Sequence, residues 1–289
     1  MPPAGILIDG LTQSCLYITM AFGMVLVFSI LGILNWAHGQ IYMLGAFVVY
    51  YAVRAGGIPF PISILISAVV IGGLGILLEK FIIERISVSV AGLGMLYVSV
   101  ATIALMFFFE GAASMFFGLQ DKGLAMVLPG VLDLGSFSVS YQKIAVVVFT
   151  LVIMIAMYIV LNRTKVGLAI RAAAQEPVAA SLYGISVGRI SLIVMGIGCA
   201  LAAMAGGFMA PVYVVNPFMG RIPLVMSLLA IIIGGVGSLT GAIVGGIILG
   251  FLNSVIAYYL GWGSEIVLFL LVIFILLVRP QGLLGASLK

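Results

Sequence analysis

Between two long apolar runs the chain reads Ile33-Leu34-Asn35-Trp36-Ala37-His38-Gly39-Gln40. Two amides and an imidazole within six residues, with no charged linker on either side, can donate and accept hydrogen bonds where their neighbours cannot. The chemistry open to them is narrow. His38 is the only histidine, and no Gly-x-Ser-x-Gly elbow accompanies it, so a nucleophilic triad is not indicated. Cys15 and Cys199 lie inside apolar runs and make neither a disulfide scaffold nor a zinc site. There is no Gly-x-x-x-x-Gly-Lys-Ser/Thr loop to cradle phosphates, so the chain is not itself an ATPase. All eight acids, Asp9, Glu79, Glu84, Glu110, Asp121, Asp133, Glu176 and Glu265, are expected near segment ends or in loops, which leaves no proton relay. What remains is transient hydrogen bonding along a polar break. Polar groups this dense inside a membrane default to a functional site. For Asn35 and His38 singly, capping of the flanking helices stands as an equal reading.

A second uncharged interruption, Gly234-Gly235-Val236-Gly237-Ser238-Leu239-Thr240-Gly241, parts a short apolar run from a long one. Its hydroxyls, Ser238 and Thr240, join Asn35, His38 and Gln40 as candidate pathway residues, because Gly-interrupted segments in corresponding halves point to a transport route. Close helix packing competes, since Gly241, Gly245, Gly246 and Gly250 make small-xxx-small faces. The third pattern is of another kind. Gly167 to Ile185 carries Arg171, Gln175 and Glu176 among alanines that favour short helix. Pro177 suits a first helical position and Gly184 a stop. Such an element can sit in a groove on a partner and carry its motion, whereas a solvated loop needs no such compactness.

Holding these residues is a task for helices in lipid. Of 289 residues 64% are hydrophobic and 7% charged, where a water-facing domain needs roughly a quarter charged. A bilayer core of about 30 Å takes about 20 apolar residues per helix. Full-length segments are therefore expected near 11–34, 60–78, 91–109, 142–162, 190–210 and 241–260, with shorter ones near 40–53, 223–237 and 265–279. Runs such as 266–278 lack the alternation of a β-barrel. The expected fold is an all-α membrane protein, a polytopic bundle of about eight to nine transmembrane segments with broken or re-entrant helices, in a single domain over 1–289. The first basic residue is Arg54, so no basic region opens a cleavable signal and the first run is expected to stay.

Lys80, Arg85, Arg163, Lys165, Arg171, Arg189, Arg279 and Lys289 fall in the connections 79–87, 163–189 and 279–289; Arg54, Lys122, Lys143 and Arg221 fall in the others. The positive-inside bias makes the first set cytoplasmic, with the C-terminus inside and, for nine crossings, the N-terminus outside. An external loop is expected at 110–141, where Phe116, Phe117, Met126 and Leu128 mix with charges, and the cytoplasmic stretch 163–189 is the largest surface on its side. Pro211, Asn216, Pro217 and Pro223 mark 211–222 as an irregular external turn without chemistry. The basic residues occur singly, so the net charge of +4 does not indicate nucleic acid.

On these residues the chain resembles, over essentially its full length, the membrane permeases of branched-chain amino-acid ABC importers. Gly32-Ile33-Leu34-Asn35-Trp36-Ala37-His38-Gly39, followed by Met43-Leu44-Gly45-Ala46, looks like that family's Gly-Ile-x-Asn-aromatic-Ala-His-Gly motif. The run at 234–241 looks like the family's too. Val178-Ala179-Ala180-Ser181-Leu182-Tyr183-Gly184 is similar to the coupling element Glu-Ala-Ala-x-x-x-Gly of ABC permeases, with Val178 in the acid's place and Glu176 two residues earlier. The resemblance implies a non-catalytic permease in the bacterial inner membrane. Its partners would be a second related permease, two cytoplasmic ATPases and an external solute-binding protein. ATP and magnesium would sit on the ATPases and no cofactor on this chain. Gly167, Arg171, Gln175, Glu176, Ala179, Ala180 and Gly184 would couple it to them. The family also serves urea and short-chain amides, so the cargo stays open between these and branched-chain or other small apolar amino acids. A stand-alone channel or ion-coupled carrier is the alternative of another class.

Overall fold

The computed structural model describes residues 3–89, 94–125, 130–133, 138–261, 264–279 and 282–284. Helices dominate: α1 (Pro3–Leu31), α2 (His38–Arg54), α3 (Phe60–Leu78), α4 (Glu84–Ser89), α5 (Gly94–Phe117), α6 (Tyr141–Arg163), α7 (Lys165–Gln175), α8 (Pro177–Leu182), α9 (Val187–Met209), α10 (Arg221–Gly234), α11 (Leu239–Leu260) and α12 (Ser264–Val278). α3 runs into α4 through one π turn, Glu79–Ile83. A short antiparallel pair, β1 (Val131–Asp133) and β2 (Ser138–Ser140), sets Leu132 opposite Val139.

Six helices are long and apolar enough to cross a bilayer unaided: Gly5–Leu31, Phe60–Ser87, Leu96–Phe117, Tyr141–Arg163, Val187–Met209 and Leu239–Leu260. The chain is thus an all-α multi-pass membrane protein. The eight or nine segments expected from hydropathy also counted the runs now seen as α2, α10 and α12. With 17, 14 and 15 residues, these reach only about 21–26 Å at 1.5 Å per residue, short of the bilayer core.

Small residues decide which helices meet. α1 lies along α11, where Gly246 faces Ile18 and Gly250 faces Ser14. It also crosses α9, where a Cβ on Gly23 would lie 2.7 Å from the Gly198 carbonyl oxygen. α2 and α9 meet at Gly45 against Ala203 and at Gly206 against Tyr42, and α3 meets α9 at Gly75 against Cys199. Lipid offers no hydrophobic drive between helices, so association rests on this backbone proximity. α1 is mostly buried, whereas α5 and α6 turn Phe107, Phe108, Leu151 and Ile155 outward. An apolar surface of that extent suits acyl chains and not water.

Two expectations need correction. α5 continues to Phe117, so Glu110 is helical and the connection begins at Gly118; Phe117 then stacks on Phe47, ring centroids 4.4 Å apart. The acids are not all at ends or in loops: Glu79 and Glu110 are buried inside helices. Each has a partner on another helix that hydropathy cannot see. Ser191 of α9 donates to Glu79, and Arg221 pairs with Glu110. The residues Met126, Leu128 and Lys289, used in the loop and charge readings, lie outside the described residues.

Candidate functional site

α1 ends at Leu31 because Gly32, at φ 67°, turns the chain. The side chain of buried Asn35 accepts from the Ala37 N–H at 3.0 Å, and its carbonyl accepts from the His38 N–H at 3.2 Å. Asn35 therefore builds the turn that starts α2. His38 and Gln40 follow in the first turn with no exposed surface. Among the described residues the Gln40 amide has no protein partner, and the His38 ring has only the backbone of Met20 within reach. Both side chains therefore stand at the start of α2 with hydrogen-bonding capacity that neighbouring protein groups do not saturate.

A second interrupted helix arrives at the same point. After α9 the chain runs irregularly through 210–220 and begins α10 at Arg221. The backbones of Gly39 and Gly220 touch: a Cβ on either would fall on the other's carbonyl, and one on Gly39 would also lie 2.8 Å from Leu224 Cβ. The Gln40 side-chain oxygen borders Gly220 as well. Two helix N-termini thus converge inside the bundle, and each presents the positive end of its dipole. Neutral or anionic oxygen atoms suit such a place.

The 211–222 segment, expected to carry no chemistry, supplies half of this arrangement. A cavity of about 260 Å³ lies beside the junction, bounded by Gln13 and Tyr17 of α1, Tyr42 of α2, Tyr213 and Met219 of the loop, and Asn253 of α11. Asn253 donates to the Tyr17 hydroxyl at 3.0 Å and to the Gln13 side-chain oxygen. A second cavity of about 300 Å³ adjoins it through Gln13 and Tyr213, with the Asp9–Lys143 ion pair on its lining. Burial, and then the Asp9 charge, push the Tyr213 phenol above its ordinary pKa, so it stays a neutral donor. These residues escaped sequence reasoning because tyrosine and asparagine inside apolar runs are unremarkable until four elements bring them to one cavity.

α10 is tied down where it starts. Arg221 pairs with Glu110 of α5, and its guanidinium lies over the Phe218 ring at 4.8 Å. Ser238 and Thr240 lie elsewhere, past the other end of α10, about 21 Å along its 14 residues. There Ser238 accepts from the Gly241 N–H and bonds Thr240, each at 3.0 Å, capping α11.

That end of the bundle also carries α7 and α8. Thr164 caps α7 by accepting from Gly167 N–H at 3.0 Å, and Gly167 is required because a Cβ would strike the backbone of Val160 and Leu161. Pro177 opens α8 after Glu176, and Gly184 closes it at φ 83°. Ala180 is buried and Ala179 half-buried, while Val178, Leu182 and Tyr183 stand out, Tyr183 at 88% exposure. Gln175 and Glu176 are exposed and Arg171 half-buried.

Comparison with known proteins gives a consistent answer. The family model described as branched-chain amino acid transport system / permease component matches residues 6–278. The chain is similar to the high-affinity branched-chain amino acid transport system permease protein BraD of Pseudomonas aeruginosa, at 30% identity over 96% of this chain and 94% of that one. It is 32% identical to the permease protein LivH of Salmonella typhimurium, over the same shares. A probable LivH of Methanocaldococcus jannaschii is 27% identical over 98% of this chain and 93% of its own. No solved structure matches the chain.

Proposed function

The chain belongs to the family of permease components of branched-chain amino acid transport systems, and from that premise we propose that it is the membrane-spanning subunit of an ATP-driven ABC importer for branched-chain or other small apolar amino acids. The observation that carries the route is the meeting of the α2 and α10 N-termini at Gly39 and Gly220 beside an uncharged cavity. The solute's carboxylate would pass the two positive helix ends, exchanging hydrogen bonds with His38, Gln40 and the Tyr17, Tyr42 and Tyr213 hydroxyls. Neutral donors keep binding weak, as passage requires. Asn35 holds the turn, and Ser238 and Thr240 would flank the inner mouth. Nine crossings follow if α12 also spans and α2 and α10 each complete a span with the irregular chain before it; with the N-terminus outside, that leaves the C-terminus on the cytoplasmic side of a bacterial inner membrane.

The α7–α8 surface would meet the partner ATPases, which bind ATP and magnesium. Leu182 and Tyr183 would insert, and Gly167, Arg171, Gln175, Glu176, Ala179, Ala180 and Gly184 would set the element's shape. A second related permease and an external solute-binding protein would complete the importer; this chain holds no cofactor. The test is reconstitution with those partners, comparing Leu182→Glu and Tyr183→Glu with the native chain. Native vesicles should accumulate leucine in preference to urea or acetamide only with ATP, and the variants should lose both uptake and stimulated ATP hydrolysis. Equal uptake by the variants would remove the coupling assignment, and uptake of urea over leucine would remove the cargo.

A further inference from the structure

The end of the bundle bearing α7 holds another cavity, of about 210 Å³, apart from the one beside Gly39. It lies between α1, α6, α7 and the turn joining α10 to α11. One wall is aliphatic, made by Leu26, Leu161, Ile170 and Leu239; the other is polar, made by Arg171, Gln175 and Asn162. The Arg171 guanidinium donates, among the described residues, one long hydrogen bond, to the Asn162 side-chain oxygen at 3.4 Å. Among the described residues no carboxylate pairs with it. A guanidinium offers five donors in a planar fork matched to the two oxygens of a carboxylate. Half-buried and set beside an apolar wall, it matches in its chemistry an anion with an aliphatic tail. No acidic side chain lines the cavity, which disfavours a cation. The volume equals that of about seven waters in the liquid, below the roughly 300 Å³ at which drug-sized pockets begin and suited to a solute of leucine's size.

We propose that this cavity binds a small aliphatic carboxylate of the branched-chain amino-acid class from the α7 side, and that its occupancy slows transport by holding α7 against the α10–α11 turn. A ligand bridging Arg171 to Leu239 favours whichever state keeps these elements together and shifts the population toward it. The slowing rests on the coupling role proposed above for α7. The binding does not.

The experiment uses the complete transporter in vesicles with the ATPases facing outward and loaded solute-binding protein inside. Binding of labelled leucine to the outward side is measured without the binding protein, and ATP hydrolysis with it, against 4-methyl-2-oxopentanoate and leucinamide. Leucine and the oxo acid should bind and slow hydrolysis, and leucinamide, which lacks the carboxylate, should do neither. Arg171→Met should weaken binding about tenfold or more, as loss of a charge-assisted bond does. Val25→Phe and Ser29→Phe, two independent ways of filling the space from α1, should abolish binding and slowing while leaving uptake driven by the binding protein intact. Leucinamide binding equal to leucine, or undiminished binding in both filled variants, would overturn the site. Binding of the expected pattern with unchanged hydrolysis would overturn the regulation. Native vesicles that never transport would instead fault the importer assignment, which the binding measurements do not depend on.

Discussion

Replacing Gly39 by alanine adds one methyl group at the point where two interrupted helices touch. The residue is helical, so the backbone accepts alanine without strain, and intrinsic propensity alone would favour it by about 1 kcal/mol. Sterics act the other way. The new carbon would lie 2.8 Å from Leu224 Cβ and closer still to the Gly220 carbonyl, where ordinary contact begins at 3.4 Å. α2 and α10 must then part by more than 0.6 Å, which forfeits a quarter or more of the dispersion contact along the seam. Overpacking of this kind costs about 1–3 kcal/mol, so with the propensity gain subtracted a net loss of up to about 2 kcal/mol is expected, together with displacement of Gln40 from beside Gly220. Gly73 on α3 and Gly111 on α5 have open space where a Cβ would go, and alanine there should be neutral or stabilising. The assay is thermal unfolding of each variant in detergent beside leucine uptake in vesicles. Should Gly39→Ala melt with Gly73→Ala and transport normally, the junction would not be a tight contact and the reasoning from it would fail.

Three further outcomes are expected. Arg221→Met leaves the Glu110 carboxylate buried without its cation and should destabilise by about 3 kcal/mol, the lower end for a broken buried pair because Arg221 itself is largely exposed; Arg221→Met with Glu110→Leu should recover most of that in the same melting assay. Asn35→Ala removes the side-chain acceptor that holds Ala37 N–H and should cost about 1 kcal/mol, with Asn35→Ser, which keeps a neutral acceptor, losing less by the same measurement. Tyr42→Phe and Asn253→Leu should lower leucine flux without changing the melting temperature by more than a few degrees, read by initial uptake rates at limiting solute.

Hydropathy located the nine apolar helices among the described residues, because in lipid each crossing must be apolar and internally hydrogen-bonded; it missed the first eight residues of α1 and the last eight of α5, where Asp9 and Glu110 interrupt the run, and it read α4 as a connection. The first break was legible for the same reason, since Asn35, His38 and Gln40 stand out against apolar neighbours. The second break was not. Around Gly220 the sequence offers glycine and proline, which read equally as an ordinary turn, and only the length of α10 hints that it stops inside the bundle. Ser238 and Thr240 were grouped with the first break on likeness of pattern; they lie at the other end, where Ser238 caps α11 and Thr240 bonds its hydroxyl. Glu79 and Glu110 looked terminal because a window along one chain segment cannot register Ser191 or Arg221 arriving from another. Pairwise meetings of this kind, like the gathering of Tyr17, Tyr42, Tyr213 and Asn253, belong to tertiary packing.

The central claim is that solute passes between the first turns of α2 and α10, and Met219, on the cavity beside them, offers the most direct probe. Cys15 and Cys199 are both buried, so a Met219→Cys variant in the assembled transporter gives a clean thiol for a membrane-impermeant reagent. The account predicts that labelling slows while leucine is being transported and changes again when the ATPases are trapped with nucleotide. Labelling at one rate in every state, indifferent to leucine and nucleotide alike, would contradict it.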